Sequence, residues 1–417
     1  MKSIEKKLWN RDFSLLIIGQ LISIFGNQVL NFALPFYILE ISGSPALFGT
    51  VLGVSFLPLI ITSPIGGIMA DRLKKQRIMF WLDATITVMI VLYMIASGLF
   101  EAAIVPIIIV KLLALNAIQG MYMPAVRAGI PLIVPSDKLV QANSATSTVN
   151  TLSSMGAPAI AGILFGRFGL FPILVVCAIC FAVTAIMDLL IRIPYKKQQA
   201  NESVVQIVKG DMTLALRFAV KENPALAKIA ILMFIFSMII PGVMVVGIPV
   251  FITQNLGMGM EYVGIGRAVS WTGAIIGAAI AGSLGERLTI KSVPLASILF
   301  SLSLIPIGTV LIFDMPNFAA YVIIVAADSI SSIMHSLFFI PIWAYLQKIT
   351  PPGLLGKVLS LFEGLPWLAA GLGFLLFGIL FEQFDLVPWL VIFVAAFICC
   401  ITMLLLRKHF KEAKADA

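Results

Sequence analysis

Charged residues are scarce in this chain. Asp, Glu, Lys and Arg make up 12% of its 417 residues, whereas hydrophobic residues make up 60%. A soluble globular domain carries roughly 25% charged and about 45–50% apolar residues. The composition therefore excludes a water-soluble fold for most of the chain, and it predicts the lipid bilayer as the surrounding medium.

Cysteine and histidine are also scarce, with four cysteines and two histidines. Cys177 and Cys180 form a C-x-x-C pattern, but the pattern lies inside an apolar run without a second pair or a nearby histidine. Metal sites and disulfide frameworks need such clusters. We therefore expect no metal site, and we expect the cysteines to be small core residues.

Motifs of chemical catalysis are missing as well. The sequence contains no G-x-x-x-x-G-K-[ST] phosphate-binding loop and no recognisable serine, histidine and acid set. These absences predict that the chain is not an enzyme, needs no cofactor and does not use ATP directly.

What the sequence does contain is a series of long apolar runs. A spanning helix needs about 20 mostly apolar residues, whereas barrel strands of about 10 residues alternate in polarity. The predicted fold is all-α and integral to the membrane, with twelve transmembrane helices. Six are predicted at 13–39, 46–70, 77–99, 104–127, 140–166 and 171–193. Six more are predicted at 225–253, 260–284, 291–313, 317–346, 355–381 and 386–406. Pro124 is predicted to end the fourth helix.

The positions of Lys and Arg predict the orientation. If the N-terminus is cytoplasmic, almost all basic residues fall on the inner side, and only Lys111, Arg167 and Arg267 remain for the membrane or the outer side. The first apolar run is too long for a cleavable signal peptide. We therefore expect a multi-pass protein of the cell membrane with both termini cytoplasmic. The net charge of +8 is then a topology signal, and no nucleic-acid partner is needed.

Two charged segments look like copies of one another. Gly67 through Lys75 recurs as Gly282 through Lys291, about half a chain later, and each lies between two apolar runs. This repeat predicts two pseudo-symmetric six-helix bundles. The predicted domains are 1–193 and 225–417, joined by a cytoplasmic linker at 194–224.

These segments resemble the major facilitator superfamily. The family's G-x-x-x-D-R-x-x-[RK] loop matches Gly67, Asp71, Arg72 and Lys75, with a degenerate copy at Gly282, Glu286 and Arg287. Lys74 departs from the usual glycine. The resemblance implies that both loops act as conformational latches between neighbouring helix ends. Asp83 and Arg127 are the expected partners of the first loop.

Other stretches resemble the macrolide-efflux-type drug exporters within that family. They are Gly19-Gln20, Pro35, Ser42-Gly43-Ser44, Pro58, Pro124 through Asn143, and Gly356-Lys357-Val358. A relaxed form of the family's antiporter motif lies in the fifth helix at Ala157, Pro158 and Gly162. This resemblance implies export, although packing of small residues is an alternative explanation for the motif.

Ionisable groups at bilayer depth are candidates for coupling, because burying a charge there is costly. Asp328, Glu363 and His335 are the predicted proton-coupling residues. Salt bridges or packing are the alternatives for the two acids, and a hydrogen-bonded core position is the alternative for the histidine. Asp188 and Arg192 have the i, i+4 spacing of a helical ion pair.

Polar residues of the first and fourth helices could line a substrate cavity. The candidates are Gln28, Asn31, Lys111 and Gln119. Hydrogen bonding between helices is an equally good reading of Gln28 and Asn31. Lys111 could instead extend its amine to the membrane surface. Asn27 stands where many relatives of the resembled family have Asp, which leaves the proton route open.

Together these features predict a proton-coupled efflux transporter, working as a monomer by alternating access. The expected partners are protons and a small amphipathic substrate, such as a drug or a macrolide. The alternatives are an uptake permease, or an exporter of a siderophore, lipid or metabolite, with the same fold. A membrane sensor would be expected to carry an extra soluble domain, which the sequence does not show.

Overall fold

A computed structural model describes residues 7–99, 104–195, 213–214, 216–313, 315–351 and 354–412. Most of its described residues are helical, and none of them lies in a β-strand. Twelve helices are long and apolar enough to cross a membrane, which confirms the predicted fold class. Many large apolar side chains lie exposed on these helices, as expected where lipid covers the surface.

The first six spans are here labelled α1 to α6. They are Arg11–Ser42, Pro45–Ala70, Lys75–Ser97, Ile104–Ile133, Ser136–Phe168 and Leu170–Leu190. The second six, α7 to α12, are Ala225–Asn255, Met260–Leu284, Ile290–Val310, Asn317–Ile349, Leu355–Gln383 and Pro388–Leu406. Positions 196–212 and 215 of the predicted linker lie outside the described residues.

The ends of α1 show how local sequence sets a boundary. Asn10 caps its first turn, because the side-chain oxygen accepts a hydrogen bond from the backbone N–H of Phe13 at 2.9 Å. At the other end, Gly43 adopts φ of 62°, and its N–H donates to the carbonyl of Leu39. Glycine takes this left-handed conformation without a steric penalty.

Prolines interrupt some spans and are absorbed by others. The helix of α2 breaks at Phe56 just before Pro58, and that of α9 breaks at Leu304 before Pro306. The prediction that Pro124 ends α4 was wrong, because the helix continues through it to Ile133. Within a membrane protein, neighbouring helices can satisfy the backbone groups that a proline frees.

The helices pack in the same order in both halves of the chain. In the first half, α1 contacts α5 and α6, α2 contacts α4, and α3 contacts α4 and α6. In the second half, α7 contacts α11 and α12, α8 contacts α10, and α9 contacts α10 and α12. Adding six to each helix number of the first set gives the second set, so the internal repeat extends to helix packing.

The chain forms two compact units. One comprises Met1–Gly43 with Val54–Val204, and the other comprises Ser44–Gly53 with Val205–Ala417. The assignment of Ser44–Gly53 to the second unit has a local cause. A Cβ atom at Gly49 would lie 2.9 Å from the Cα of Gly378 on α11, so this approach requires glycine.

Candidate functional site

A buried ion pair joins α8 to α10 in the second unit. Asp328 is 3% exposed, and its Oδ2 atom lies 3.9 Å from Nη1 of Arg267. The hydroxyl of Ser270, one turn after Arg267, donates a hydrogen bond to the same oxygen. The carboxylate therefore has both a counter-charge and a hydrogen-bond donor, which a buried charge requires.

A cavity of about 220 Å³ opens beside this pair. It is lined by one face of each of four helices, α7 to α10. The lining residues that carry its chemistry are Arg267, Asp328 and His335, with Trp271, Phe300 and Met244 as large apolar or aromatic walls. Mostly apolar walls with a few convergent polar groups are typical of small-molecule sites.

The α7 wall of the cavity is not a regular α-helix. Gly242–Gly247 is π-helical, and Met244 and Val245 from this turn line the cavity together with Pro241. A Cβ atom at Gly242 would lie 2.3 Å from the ring of Phe377 on α11. π-helical turns are frequent at functional sites, and glycine here lets the distorted turn pack closely against its neighbour.

The three predicted proton-coupling residues occupy different environments. Asp328 and His335 both line the cavity, and the imidazole ring lies 4.5 Å from the ring of Phe339 between centroids. Glu363 lies on an exposed face of α11 and does not line the cavity. The structure thus brings two of the three residues together.

Sequence reasoning missed Arg267 as part of this site. Its position was noted only because no cytoplasmic loop accounted for it. That position was itself a signal, since an arginine within a span needs a partner, and Asp328 was already a candidate. The three-dimensional packing of α8 on α10 was needed to join them.

Three of the predicted cavity residues, Gln28, Asn31 and Gln119, form hydrogen bonds with other polar side chains of the first unit. The amide of Asn27 donates to Gln119 at 3.3 Å, Asn31 donates to Asn27, and Asn116 donates to Asn31 at 3.0 Å. Gln28 donates to Ser154 of α5 at 3.2 Å. These bonds support the helix-joining interpretation of Gln28 and Asn31, and they connect α1 to α4 and to α5.

Lys111 is buried inside the first unit. It is 4% exposed, and its Nζ atom lies 4.3 Å from the ring centroid of Tyr93 on α3. The amine has no hydrogen-bond partner within the described part of the chain. The face of an aromatic ring attracts a cation, so Tyr93 is the described group that compensates this amine, and Lys111 does not extend to the surface.

Two other aspartates are buried in the first unit. Asp83 accepts hydrogen bonds from Ser23 and Thr184, so its described partners are hydroxyl groups. The predicted pair of Asp188 and Arg192 is not formed. The α6 helix ends at Leu190 and Ile191 is extended, so Arg192 does not lie one helical turn after Asp188.

The residues of the predicted latches lie at helix ends. Arg72 ends its helix and Lys75 begins the next one, and the hydroxyl of Tyr195 donates to the backbone carbonyl of Arg72 at 2.5 Å. The side chains of Arg72, Arg127 and Arg287 are exposed. The side chains of Asp71 and Glu286 lie outside the described residues. The latch assignment stays a prediction.

The relaxed antiporter motif lies in a continuous helix. Leu139–Phe168 passes through Pro158 without a break, and Ala157 and Gly162 are buried. A Cβ atom at Gly156 would lie 3.5 Å from the ring of Phe25 on α1. The small residues therefore face a helix contact, which accords with the packing interpretation and leaves the antiport prediction open.

Comparison with known proteins decides the family. The model of the Major Facilitator Superfamily matches residues 16–363. The chain belongs to the major facilitator superfamily. The family and the matched relatives are transporters rather than enzymes, so the prediction that the chain is not an enzyme is confirmed.

Relatives with a described role are distant. Macrolide efflux protein A of Streptococcus pyogenes is 25% identical over 187 residues, which span 45% of this chain and 46% of that protein. The match thus covers about half of that relative. An uncharacterized MFS-type transporter of Bacillus subtilis, YfiS, is 23% identical and matches 95% of this chain and 92% of its own length.

Solved structures share the fold of this family member. A bacterial homologue of the iron transporter ferroportin, in an inward-facing state, has a TM-score of 0.71 at 17% identity and covers 96% of this chain and 98% of its own. The nucleoside transporter NupG also has a TM-score of 0.71, at 15% identity, with 96% and 100% covered. At these identities the likeness concerns the fold alone.

Proposed function

We propose that this family member is a proton-coupled efflux transporter, an antiporter of amphipathic organic compounds such as drugs or macrolides. It works as a monomer in the cell membrane, with both termini cytoplasmic. The observation that carries the proposal is the cavity that contains Asp328, Arg267 and His335. The distant similarity to a macrolide efflux protein supports the direction and the substrate class.

The walls of the cavity suit an amphipathic molecule. Trp271, Phe300 and Met244 provide large apolar contacts, whereas Asp328 and Arg267 provide one charge of each sign. A substrate with an apolar body and one basic or polar group would bury the body against the rings. Its polar group would then take the place of one partner of the ion pair.

Asp328 is the proposed proton carrier. Its counter-charge, Arg267, is held 3.9 Å away, so the pair is loose enough to be exchanged for another partner. When a proton neutralises the carboxylate, the attraction to Arg267 and to a cationic substrate disappears. Proton uptake and substrate release are thereby coupled at one side chain while the family fold alternates access to the two sides.

Transport into everted membrane vesicles tests this function. Vesicles that contain the protein should accumulate a hydrophobic cation or a macrolide when a proton gradient is imposed. Dissipating the gradient with an ionophore should end the accumulation. The absence of uptake across a broad panel of drugs, with or without the gradient, would contradict the efflux proposal.

The chain offers a matched pair of acids for the coupling residue. Asp328→Asn should abolish gradient dependence, whereas Glu363→Gln should keep it, because Glu363 is exposed and away from the cavity. Protein amounts in the vesicles are compared by immunoblot. Wild-type gradient dependence in Asp328→Asn would eliminate Asp328 as the proton carrier.

A further inference from the structure

A second buried polar cluster lies in the first unit, whereas the proposed transport cavity belongs to the second. Asp83 of α3 is fully buried. Its Oδ1 atom accepts a hydrogen bond from Ser23 of α1 at 3.2 Å, and its Oδ2 atom accepts one from Thr184 of α6 at 2.6 Å. Three helices therefore meet at this carboxyl group.

Three further side chains there have polar atoms without partners. Asp188, Tyr122 and Gln20 are each at most 1% exposed. Among the described residues, Oδ2 of Asp188, the hydroxyl of Tyr122 and both amide atoms of Gln20 have no hydrogen-bond partner of good geometry. Buried polar atoms in folded proteins are almost always paired, so unpaired atoms in one region point to a ligand that would satisfy them.

These groups belong to one cluster. The hydroxyl of Tyr122, on α4, lies within electrostatic range of both carboxyl groups, and the two carboxyl groups lie within range of each other. Asp188 follows Thr184 by one turn of α6, and Gln20 precedes Ser23 by three residues on α1, so each pair shares a helix face. A Cβ atom at Gly19 would lie 3.9 Å from Met187, which places α1 against α6 at this level.

The described residues provide no cation to these two acids. On α4, the amine of Lys111 lies over the ring of Tyr93, and Arg127 is exposed. Arg192 lies beyond the end of α6, where its backbone N–H donates to Asp12. The groups that face the two carboxyls from α1, α4 and α6 are hydroxyls and one amide.

We propose that this cluster is a binding site for a small monovalent cation, Na⁺ or a proton. Two adjacent carboxyl groups in an apolar interior cannot both remain charged unless a cation is bound between them. Hard cations take oxygen ligands, and every side chain of the cluster carries at least one oxygen. The members are Gln20, Ser23, Asp83, Tyr122, Thr184 and Asp188. The site is separate from Asp328, which belongs to the other unit.

Thermal unfolding of the purified full-length protein tests the site. At mildly alkaline pH, sodium chloride should raise the melting temperature relative to choline chloride at the same ionic strength. If a proton is the cation, acidification should raise it instead and Na⁺ should have no effect. Binding of radioactive sodium distinguishes the two cations. About one ion per chain is expected if the site binds Na⁺, and none is expected if it binds a proton.

Asp188→Asn should remove whichever response the wild type shows, and Glu363→Gln, which alters an exposed acid outside both sites, should keep it. If Asp188→Asn does not fold, Tyr122→Phe removes a single hydroxyl and should weaken the cation response by about tenfold in half-saturating concentration. Wild-type responses in Asp188→Asn and Tyr122→Phe would overturn the proposal. So would a wild type that responds to neither Na⁺ nor pH. The melting temperature and the sodium binding do not depend on transport, so these measurements test the cation site independently of the efflux proposal.

Discussion

Three buried aspartates differ in the partners of their carboxyl oxygens. Asp328 has a guanidinium and a hydroxyl, and Asp83 has two hydroxyls. One oxygen of Asp188 has no hydrogen-bond partner among the residues that the structure describes. Removing a carboxylate from water is costly, and the cost must be offset by charges, hydrogen bonds or protons. The difference suggests that only Asp328 is arranged to hold its charge without help from a bound cation.

The dependence of Asp328 on Arg267 gives a stability prediction. Arg267→Gln should lower the free energy of unfolding by about 1–3 kcal/mol, because it leaves a buried acid without its counter-charge. The double variant Arg267→Gln, Asp328→Asn should recover part of that loss. Chemical denaturation in detergent measures both. Equal losses in the single and the double variant would show that the pair is not coupled.

The buried amine of Lys111 gives a second prediction. Lys111→Met should keep or raise the melting temperature, because it removes an unpaired polar group at a cost of only about 0.5–2 kcal/mol of cation–π attraction. Tyr93→Leu, which leaves the amine buried without the ring, should lower the melting temperature. Differential scanning fluorimetry compares the two. A large loss of stability in Lys111→Met would mean that the amine has a stabilising role that its described contacts do not provide.

At the residue scale, the sequence identifies the buried polar side chains more reliably than it identifies their contact partners. Asp328, His335 and Lys111 were candidates because polar groups within apolar runs are conspicuous. The contact between Arg267 and Asp328 could not be predicted, because the two residues belong to different helices and their pairing depends on helix rotation. The predicted pairing of Asp188 with Arg192 was wrong for a local reason, because the helix ends two residues after Asp188.

Glycines set how closely neighbouring helices approach. On α2, a Cβ atom at Gly66 would lie 2.5 Å from the Cα of Met121 on α4, whereas one at Gly67 would meet nothing within 4 Å. On α4, a Cβ atom at Gly120 would lie 2.6 Å from the carbonyl of Leu59. Gly66 and Gly120 therefore permit the packing of α2 on α4, and the motif residue Gly67 does not.

These adjacent glycines provide a matched pair of variants. Gly66→Ala should lower the melting temperature, because the backbone of α4 would have to shift. Gly67→Ala should keep or raise it, because alanine favours the helix by roughly 0.5–1 kcal/mol. If Gly67→Ala folds well but loses transport, the latch assignment gains support. Equal stability losses in both variants would contradict the packing explanation.

Helix positions were the most predictable feature of the chain. The length and polarity of the apolar runs place all twelve spans close to their observed limits. The π-helical turns of α7 and the break in α9 were not predicted. The turn that begins at Gly242 packs against Phe377 of another helix, and the break in α9 lies just before Pro306. Hydropathy records neither feature.

At the scale of the whole molecule, the internal repeat extends beyond the two loops that indicate it in the sequence. Two short loops first indicated it, and the helix neighbours repeat with a shift of six across both halves. The buried charges do not repeat. The ion pair with its cavity lies in the second unit, whereas Asp83 and Asp188, which have no cationic partner among the described residues, lie in the first. Similar backbones thus carry different chemistry.

Orientation in the membrane is a prediction for the whole chain. Leu73 lies between α2 and α3 and is 49% exposed, and Leu386 lies between α11 and α12 and is 88% exposed. With both termini cytoplasmic, Leu386→Cys should react with a membrane-impermeant maleimide in intact cells. Leu73→Cys should react only after permeabilisation. The wild type, whose four cysteines lie within spans, is the control, and the reverse pattern would invert the topology.

The turn at Gly43 has a consequence for how the protein is made. Only Gly43 and Ser44 separate the helix of α1 from that of α2, so the two helices cannot drift apart while the ribosome is still translating. We expect them to enter the bilayer together as a hairpin, with α2 emerging before α1 can settle alone. A bulkier, β-branched residue at position 43 would resist the left-handed turn. Its first effect would be on insertion, before any transporter exists to be assayed.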